Sequence, residues 1–295
     1  MIEYNNKVWF RQIVNFHKTD TLRKLFPEML IVGAYAAILT YIHDTYLEDV
    51  EAKASFKNTT IVHSTMGFVL SLLLVFRTNT AYERWWEGRK LWGALVNSSR
   101  NLAIKISTIV PPGHSDTHHF FCRMIPNFCF ALKEHLRGKV KIEELEDYRD
   151  LKARLEQRDH KPNLIIQDMF ARAKTLVNEG QISSEEQLVI DKELKSFADI
   201  MGACERILKT PIPYSYSIFL KKFIFFFIIS LPIGFVAYFD YWAIPISIFV
   251  FYVLVSLEII AEEIEDPFGT DPNDLPTGKI SETIRANVKE IFGEE

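Results

Sequence analysis

Four stretches of the chain carry almost no charged side chains, and their lengths set the expected fold. Residues 223–239 and 241–257 contain no Asp, Glu, Lys or Arg and are separated by a single acidic residue, Asp240. Residues 58–76 are similarly apolar, and residues 29–42 form a shorter run that needs its flanks to span. A membrane-crossing helix takes roughly 17–25 apolar residues. The pattern therefore predicts four transmembrane helices, although a buried helix of a soluble protein is the alternative for any single run.

Basic residues near these runs predict the orientation of the chain. Lys and Arg precede the first run and follow the second, at Arg77, Arg84 and Arg89, whereas the loop at 43–57 is rich in acidic residues. Because basic loops remain on the cytoplasmic side, both termini and the long middle region are expected in the cytoplasm. The first apolar run starts late and has no small-residue cleavage site, so we expect no signal peptide.

These observations divide the chain into five predicted segments. They are a cytosolic N-terminal segment at 1–27, transmembrane helices 1 and 2 at 28–76, a helical cytosolic region at 77–217, transmembrane helices 3 and 4 at 218–260, and a cytosolic C-terminal segment at 261–295.

The second apolar run is expected to continue as a helix far beyond the membrane. No proline interrupts the sequence from Asn58 or Thr59 to about Thr108. A helix of that length would measure about 75 Å at 1.5 Å per residue, against a hydrocarbon core of about 30 Å. The helix therefore has to project into the cytoplasm.

The middle region has the pattern of soluble helices. Apolar residues at Ile142, Leu145, Tyr148 and Leu151 predict a helix over 142–157. Ser183 and Glu186 have capping-box spacing at the start of another helix. No convincing strand pattern occurs, so we predict an all-α fold.

Composition excludes several classes of protein. A net charge of -4 gives no case for nucleic-acid binding, and three Cys in 295 residues exclude a disulfide scaffold. Phosphate-loop, dinucleotide-binding, zinc-protease and hydrolase motifs are absent, which argues against an enzyme. His114, His118 and Cys122 recur every four residues and form a candidate metal-binding column on a helix. Exposed histidines beside a buried Cys are the commoner explanation.

The predicted spans suggest a passive pore. They contain no Asp, Glu, Lys or Arg, whereas ion-coupled pumps place such groups at mid-membrane. Phe68, Leu72 and Phe76 recur every four residues and could form an apolar constriction. Spacing alone favours a helix-packing or lipid-facing stripe. A membrane-anchored scaffold or sensor, with partners bound by the charged middle region, is the other class of function.

Three motifs give the chain a resemblance to a known family. They lie at Gly67–Trp92, at Gly202–Arg206 with Thr210–Pro213, and at Glu265–Pro276. In residue content and order they resemble the bestrophin family, and the length resembles its prokaryotic members. The resemblance implies a homopentameric ion channel of the bacterial cytoplasmic membrane. Each four-span subunit would contribute its second helix to one central pore, and long helices would extend into a helical cytosolic domain.

The resemblance also implies where the pore narrows. Aligning Arg84 and the two following tryptophans places the three apolar rings of the family's neck at Phe68, Leu72 and Phe76, which favours the pore over a packing stripe. Counting back from the Gly-Ala-Cys-Glu-Arg motif places a second, cytosolic constriction near Leu188.

Animal bestrophins bind Ca²⁺ with acidic residues that follow a Pro-Phe-Gly motif. The matching positions here are Asp271, Asn273 and Asp274, interrupted by Pro272. Ca²⁺ takes six to eight oxygen ligands, usually with several carboxylates. This segment therefore argues against Ca²⁺ regulation. We interpret it as a helix stop and packing loop, and we expect no metal and no cofactor.

Ion selectivity depends on where the acidic residues lie. Animal members pass chloride, and prokaryotic members have been regarded as cation-selective. The stretch 258–266 and the outer-loop acids Asp44, Glu48, Asp49 and Glu51 would favour cations if they faced the pore. The sequence thus predicts a preference for Na⁺ or K⁺, with a chloride channel of the same architecture as the alternative. The expected partners are further copies of the chain, membrane lipids and small inorganic ions.

Overall fold

The computed structural model describes residues 21–46, 50–111, 114–138, 140–147 and 150–294, and it describes side chains of the second helix from Ile61 onward. Glu48, Asp49, Tyr148 and the side chain of Glu51 lie outside the described part. The described residues form α-helices and two short 3-10 turns, Ile142–Glu144 and Asp240–Trp242, without a β-strand, as predicted. The helices are α1 Thr21–Tyr46, α2 Val50–Ile109, α3 Ser115–Leu136, α4 Leu151–Glu156, α5 Lys161–Asn178, α6 Ser184–Lys209, α7 Tyr214–Phe239, α8 Ala243–Glu265 and α9 Thr277–Phe292.

Helix α2 is longer than the sequence indicated. It contains 60 residues, which corresponds to about 90 Å. It begins at Val50, so the expected start at Asn58 or Thr59 was wrong. Residues 50–57 contain neither Gly nor Pro and include two alanines and two lysines, which favour helix.

Two compact units divide the described residues. The first, here called the apolar unit, contains α1, α2 up to Glu83, and Pro211–Glu265 with α7 and α8. Its core joins Leu70 and Leu74 of α2 to side chains of α1, α7 and α8. Helices α7 and α8 pack against each other on either side of Asp240–Trp242, so the two predicted apolar runs are indeed a pair of helices.

Three stretches of the described residues are long and apolar enough to cross a membrane. They are Thr21–Tyr46, Ile61–Ile109 and Tyr214–Glu265, the last of which contains both α7 and α8. Most of their side chains are not buried within the chain. This combination of apolar composition and exposure is typical of helices whose surroundings are lipid or further subunits.

The second unit, here called the polar unit, contains Arg84–Thr210 and Asp266–Glu295. Helix α3 packs against α5, α6 and α9 around buried aromatic side chains such as Phe121, Phe128 and Phe197. Ser183 caps α6: its hydroxyl accepts the N–H of Glu186 at 3.1 Å, and the Glu186 carboxylate accepts the N–H of Ser183 at 2.7 Å. The predicted capping box is confirmed.

The predicted helix over 142–157 was wrong. The structure has the turn Ile142–Glu144 and the short α4 instead. Asp150 has a φ of 58°, which places it in the left-handed region and interrupts helical geometry. Leu145 and Leu151 are both buried in the core of the polar unit. The apolar spacing therefore reflects burial of an irregular segment.

Candidate pore-lining site

The apolar stripe on α2 points away from the core of its unit. Phe68, Leu72 and Phe76 are 72%, 47% and 56% exposed, whereas Leu70 and Leu74 on the opposite face are buried. Successive members of the stripe are separated by about 6 Å along the helix axis. Packing within the chain's own core is therefore excluded for this stripe. Its role as a pore neck stays a prediction.

Polar residues flank the stripe on the same helix face. Thr65 lies one turn before Phe68, and Asn79 lies one turn after Phe76; both are exposed. The Thr65 hydroxyl donates to the carbonyl of Ile61 at 3.1 Å. The exposed face thus alternates from polar to apolar to polar, which is the pattern of a short apolar constriction between wetter segments. Helical spacing from the stripe could have identified both flanking residues.

A buried arginine follows the stripe directly. Arg77 is 1% exposed, and its guanidinium pairs with two carboxylates of α8, Nη2 with Glu265 at 2.7 Å and Nε with Glu258 at 3.5 Å. Glu265 also accepts the N–H of Ile212 at 2.8 Å. The sequence placed Arg77 only among the bases near a span, because partners so distant in the chain leave no local pattern.

The glutamates near the acidic end of α8 pair with basic side chains. Besides Glu258 and Glu265, Glu262 pairs with Lys221, and Glu263 pairs with Lys24 at 2.7 Å. Three bases thus pair with four glutamates within the apolar unit, which leaves one negative charge in excess. The acidic stretch of α8 is therefore a weaker reason for predicting cation preference. Of the outer-loop acids, Asp44 is exposed at the end of α1.

Leu188, the predicted second constriction, lies on the first turns of α6 in the polar unit. Its side chain is strongly exposed, as is that of neighbouring Val189. Lys105 anchors this end of α6 to α2, since its ammonium pairs with Glu193 at 2.7 Å and donates to the Val189 carbonyl at 3.3 Å. Leu188 is thus an exposed apolar side chain on a fixed helix, and its role stays a prediction.

The predicted Ca²⁺ segment folds as a closed loop after α8. The Asp274 carboxylate is buried and accepts the N–H of Asp271 at 2.5 Å. The Asn273 carbonyl accepts the indole N–H of Trp85 at 3.0 Å. Burial raises the pKa of Asp274 to about 6. One carboxylate oxygen of Asp274 and the main-chain oxygen of Asn273 are therefore engaged within the chain, as in a packing loop. The expected lack of Ca²⁺ regulation stays a prediction.

Gly269 in this loop provides a test of the packing role. A Cβ at Gly269 would lie 2.7 Å from Asp274 Oδ2. Gly269→Ala should therefore displace the carboxylate from the Asp271 N–H and destabilise the protein by about 1–3 kcal/mol. Gly278→Ala is the matched control, because its Cβ would meet only Lys133 Cδ at 4.0 Å. Thermal unfolding in detergent measures both, and equal melting temperatures would contradict the packing role.

The candidate metal column at His114, His118 and Cys122 does not form. His114 precedes α3 with φ −102° and ψ 55°, so the helical spacing fails at its first member. The ring of His118 lies 3.2 Å from the Val110 carbonyl, and Cys122 is buried.

The comparisons with known proteins decide the family. A family model described as Bacterial/Fungal Bestrophin protein matches residues 1–290. The chain belongs to the bestrophin family. The predicted resemblance is thus confirmed, and the bestrophin assignment indicates a channel rather than an enzyme.

Named bacterial relatives and solved structures agree with this assignment. A voltage-dependent anion channel-forming protein of Nostoc sp. is 38% identical over 295 residues, which cover 97% of this chain and 92% of the relative. The protein YneE of Escherichia coli K12, which has the same description, is 30% identical over 297 residues. The match covers 100% of this chain and 95% of YneE. A crystal structure of a bestrophin homologue from Klebsiella pneumoniae, carrying a point mutation, matches with a TM-score of 0.84 at 26% identity, over 92% of this chain and 100% of that one.

Proposed function

We propose that this bestrophin forms a homopentameric, passive anion channel of the bacterial cytoplasmic membrane. Its neck consists of Phe68, Leu72 and Phe76 from each subunit. The observation that carries the proposal is the exposed apolar stripe on α2, flanked by polar residues, in a chain of this family. A ring of such side chains gates by excluding water from a narrow segment.

Several copies of the chain are needed to enclose a pore. The stripe lies on one face of one helix, and the opposite face is buried against the chain's own core. A single α2 therefore cannot surround a conducting path, whereas α2 helices related by a rotational axis can. Five copies follow from the family resemblance. Leu188 of each copy would form the second, cytosolic constriction.

The proposed topology has four crossings, with the spans taken at 28–76 and 218–260. Helices α1, α7 and α8 each cross once, and α2 crosses with its apolar part and continues into the cytoplasm. Both termini and residues 77–217 would then be cytosolic. The charge distribution supports this orientation, since bases follow the apolar part of α2 and the turn at Asp240 has none. The proposed channel has no resident cofactor.

The proposed selectivity is for chloride and other small anions. The cation preference predicted from sequence is not supported: the Nostoc and Escherichia coli relatives are described as anion channel-forming proteins. The acids of α8 that favoured cations are paired with Arg77, Lys221 and Lys24. An apolar neck does not by itself select a sign of charge.

Chloride efflux from liposomes tests this function. Liposomes loaded with KCl and carrying the purified protein should release chloride after valinomycin supplies a path for potassium. Without valinomycin, release should be slow, because anion flow alone builds up a membrane potential. A non-conducting scaffold would release no chloride in either condition. A cation channel would likewise release none, since it would give potassium a path but chloride no path.

A further inference from the structure

Three side chains that can bind a metal converge within the polar unit, far from the pore neck in sequence. His135 lies in the last turn of α3, His160 precedes α5, and Glu205 lies on α6. Both histidine Nε2 atoms approach the same carboxylate oxygen, at 2.9 Å from His135 and 2.6 Å from His160. One ligand atom from each residue lies within 4.8 Å of the others, the only such group of three in the described part of the chain.

The hydrogen bonds around the cluster fix the orientation of its rings. Nδ1 of His160 accepts the N–H of Asn163 at 3.3 Å, which leaves Nε2 to face Glu205. The rings of His135 and His160 lie 4.4 Å apart between centroids. These contacts hold the two rings with both Nε2 atoms toward one carboxylate oxygen.

The cluster has the ligand types that a transition metal binds. Imidazole nitrogens and carboxylate oxygens are common metal ligands, and metal binding releases any proton that the ligand atoms carry. The side chains are partly exposed, which leaves access for an ion and for water.

We propose that His135, His160 and Glu205 form a binding site for a divalent transition metal, with zinc as the best fit. Two imidazole nitrogens, one carboxylate oxygen and a water molecule complete the four ligands that zinc prefers. Calcium and magnesium prefer oxygen ligands and fit this set poorly. Lys209 Nζ lies 3.6 Å from the other Glu205 oxygen and is largely exposed, so it leaves the shared oxygen accessible.

A metal at this site would join three elements that are distant in the chain. The ion would bind the folded protein and not the unfolded chain, so it should raise the unfolding temperature with its concentration. It would link α3, α6 and the segment that leads into α5. The sequence offered no signal for this cluster, because its members have no helical or short-motif spacing.

Zinc titration of the tag-free, full-length protein in detergent tests the proposal. After treatment with a chelator and its removal, ZnCl₂ should bind at one ion per chain by elemental analysis and should raise the unfolding temperature saturably. CaCl₂ and MgCl₂ at the same concentrations should not. His135→Gln and Glu205→Gln should each weaken binding by about tenfold or more. His114→Gln is the matched control, because His114 lies in the same unit but outside the cluster. Its side chain also makes no capping hydrogen bond to α3.

A second measurement does not depend on any variant. Co²⁺ added to the chelator-treated wild-type protein should give the visible absorption of a four-coordinate site and should be displaced by Zn²⁺. The proposal is overturned if the wild-type protein takes up neither ion. It is also overturned if His135→Gln and Glu205→Gln, with unchanged unfolding temperatures in chelator, bind zinc as tightly as His114→Gln.

Discussion

Leu72→Ala is expected to raise the anion current several-fold and to weaken closure of the pore. Leu72 is the middle ring of the proposed neck, so the substitution removes three carbon atoms from every subunit at the same level of the pore. The wider segment should stay hydrated for longer, because an apolar constriction conducts when water fills it. Leu72 is already 47% exposed, and its loss should therefore cost the fold less than a core substitution.

Planar bilayer recording measures this effect on single channels. Phe68→Ala and Phe76→Ala should act in the same direction, since they form the rings on either side. Leu30→Ala is the matched control, because Leu30 is 60% exposed in the same unit but lies on α1. If Leu72→Ala gave the same conductance and open time as Leu30→Ala and the wild-type protein, the stripe would not be the neck.

The second large effect is expected from Arg77→Met. The substitution leaves the carboxylates of Glu258 and Glu265, which are largely buried, without their guanidinium. Breaking a buried ion pair from one side costs about 3–5 kcal/mol. The protein should therefore unfold at a clearly lower temperature, or fail to remain dispersed after detergent extraction.

Two further variants separate this cause from a general effect of surface charge. Lys24→Met removes an exposed partner of Glu263 and should cost about 1 kcal/mol or less. Arg77→Met combined with Glu258→Leu should regain part of the lost stability, because one unpaired charge is removed with the arginine. Fluorescence-detected unfolding in detergent compares them. If Arg77→Met lowers the unfolding temperature no more than Lys24→Met does, the buried ion pairs of Arg77 are not a major source of stability.

The helical architecture was predictable because its signals are local. Uncharged runs identified α7 and α8, the absence of proline identified the long α2, and Ser183 with Glu186 identified the start of α6. The end of α8 at Glu265 follows from the Asp-Pro that comes next, since proline disfavours helix at the preceding residue. The three motifs then identified the family.

The errors and omissions concern contacts between distant residues. The segment at 142–157 has helical spacing, but a left-handed Asp150 and burial of irregular backbone determine its conformation. The acids of α8 suggested a negative pore lining until their partners Lys24, Arg77 and Lys221 were located. The convergence of His135, His160 and Glu205 likewise depends on how α3, α5 and α6 pack.

The reversal potential of the reconstituted protein tests the central claim most directly. Under a tenfold KCl gradient across a planar bilayer, an anion channel should carry current that reverses close to the chloride equilibrium potential, about 59 mV from zero. Leu30→Ala should keep this potential, and Leu72→Ala should carry more current. A reversal at the potassium equilibrium potential would contradict anion selectivity. The absence of current from protein shown to be inserted in the bilayer would contradict the channel itself.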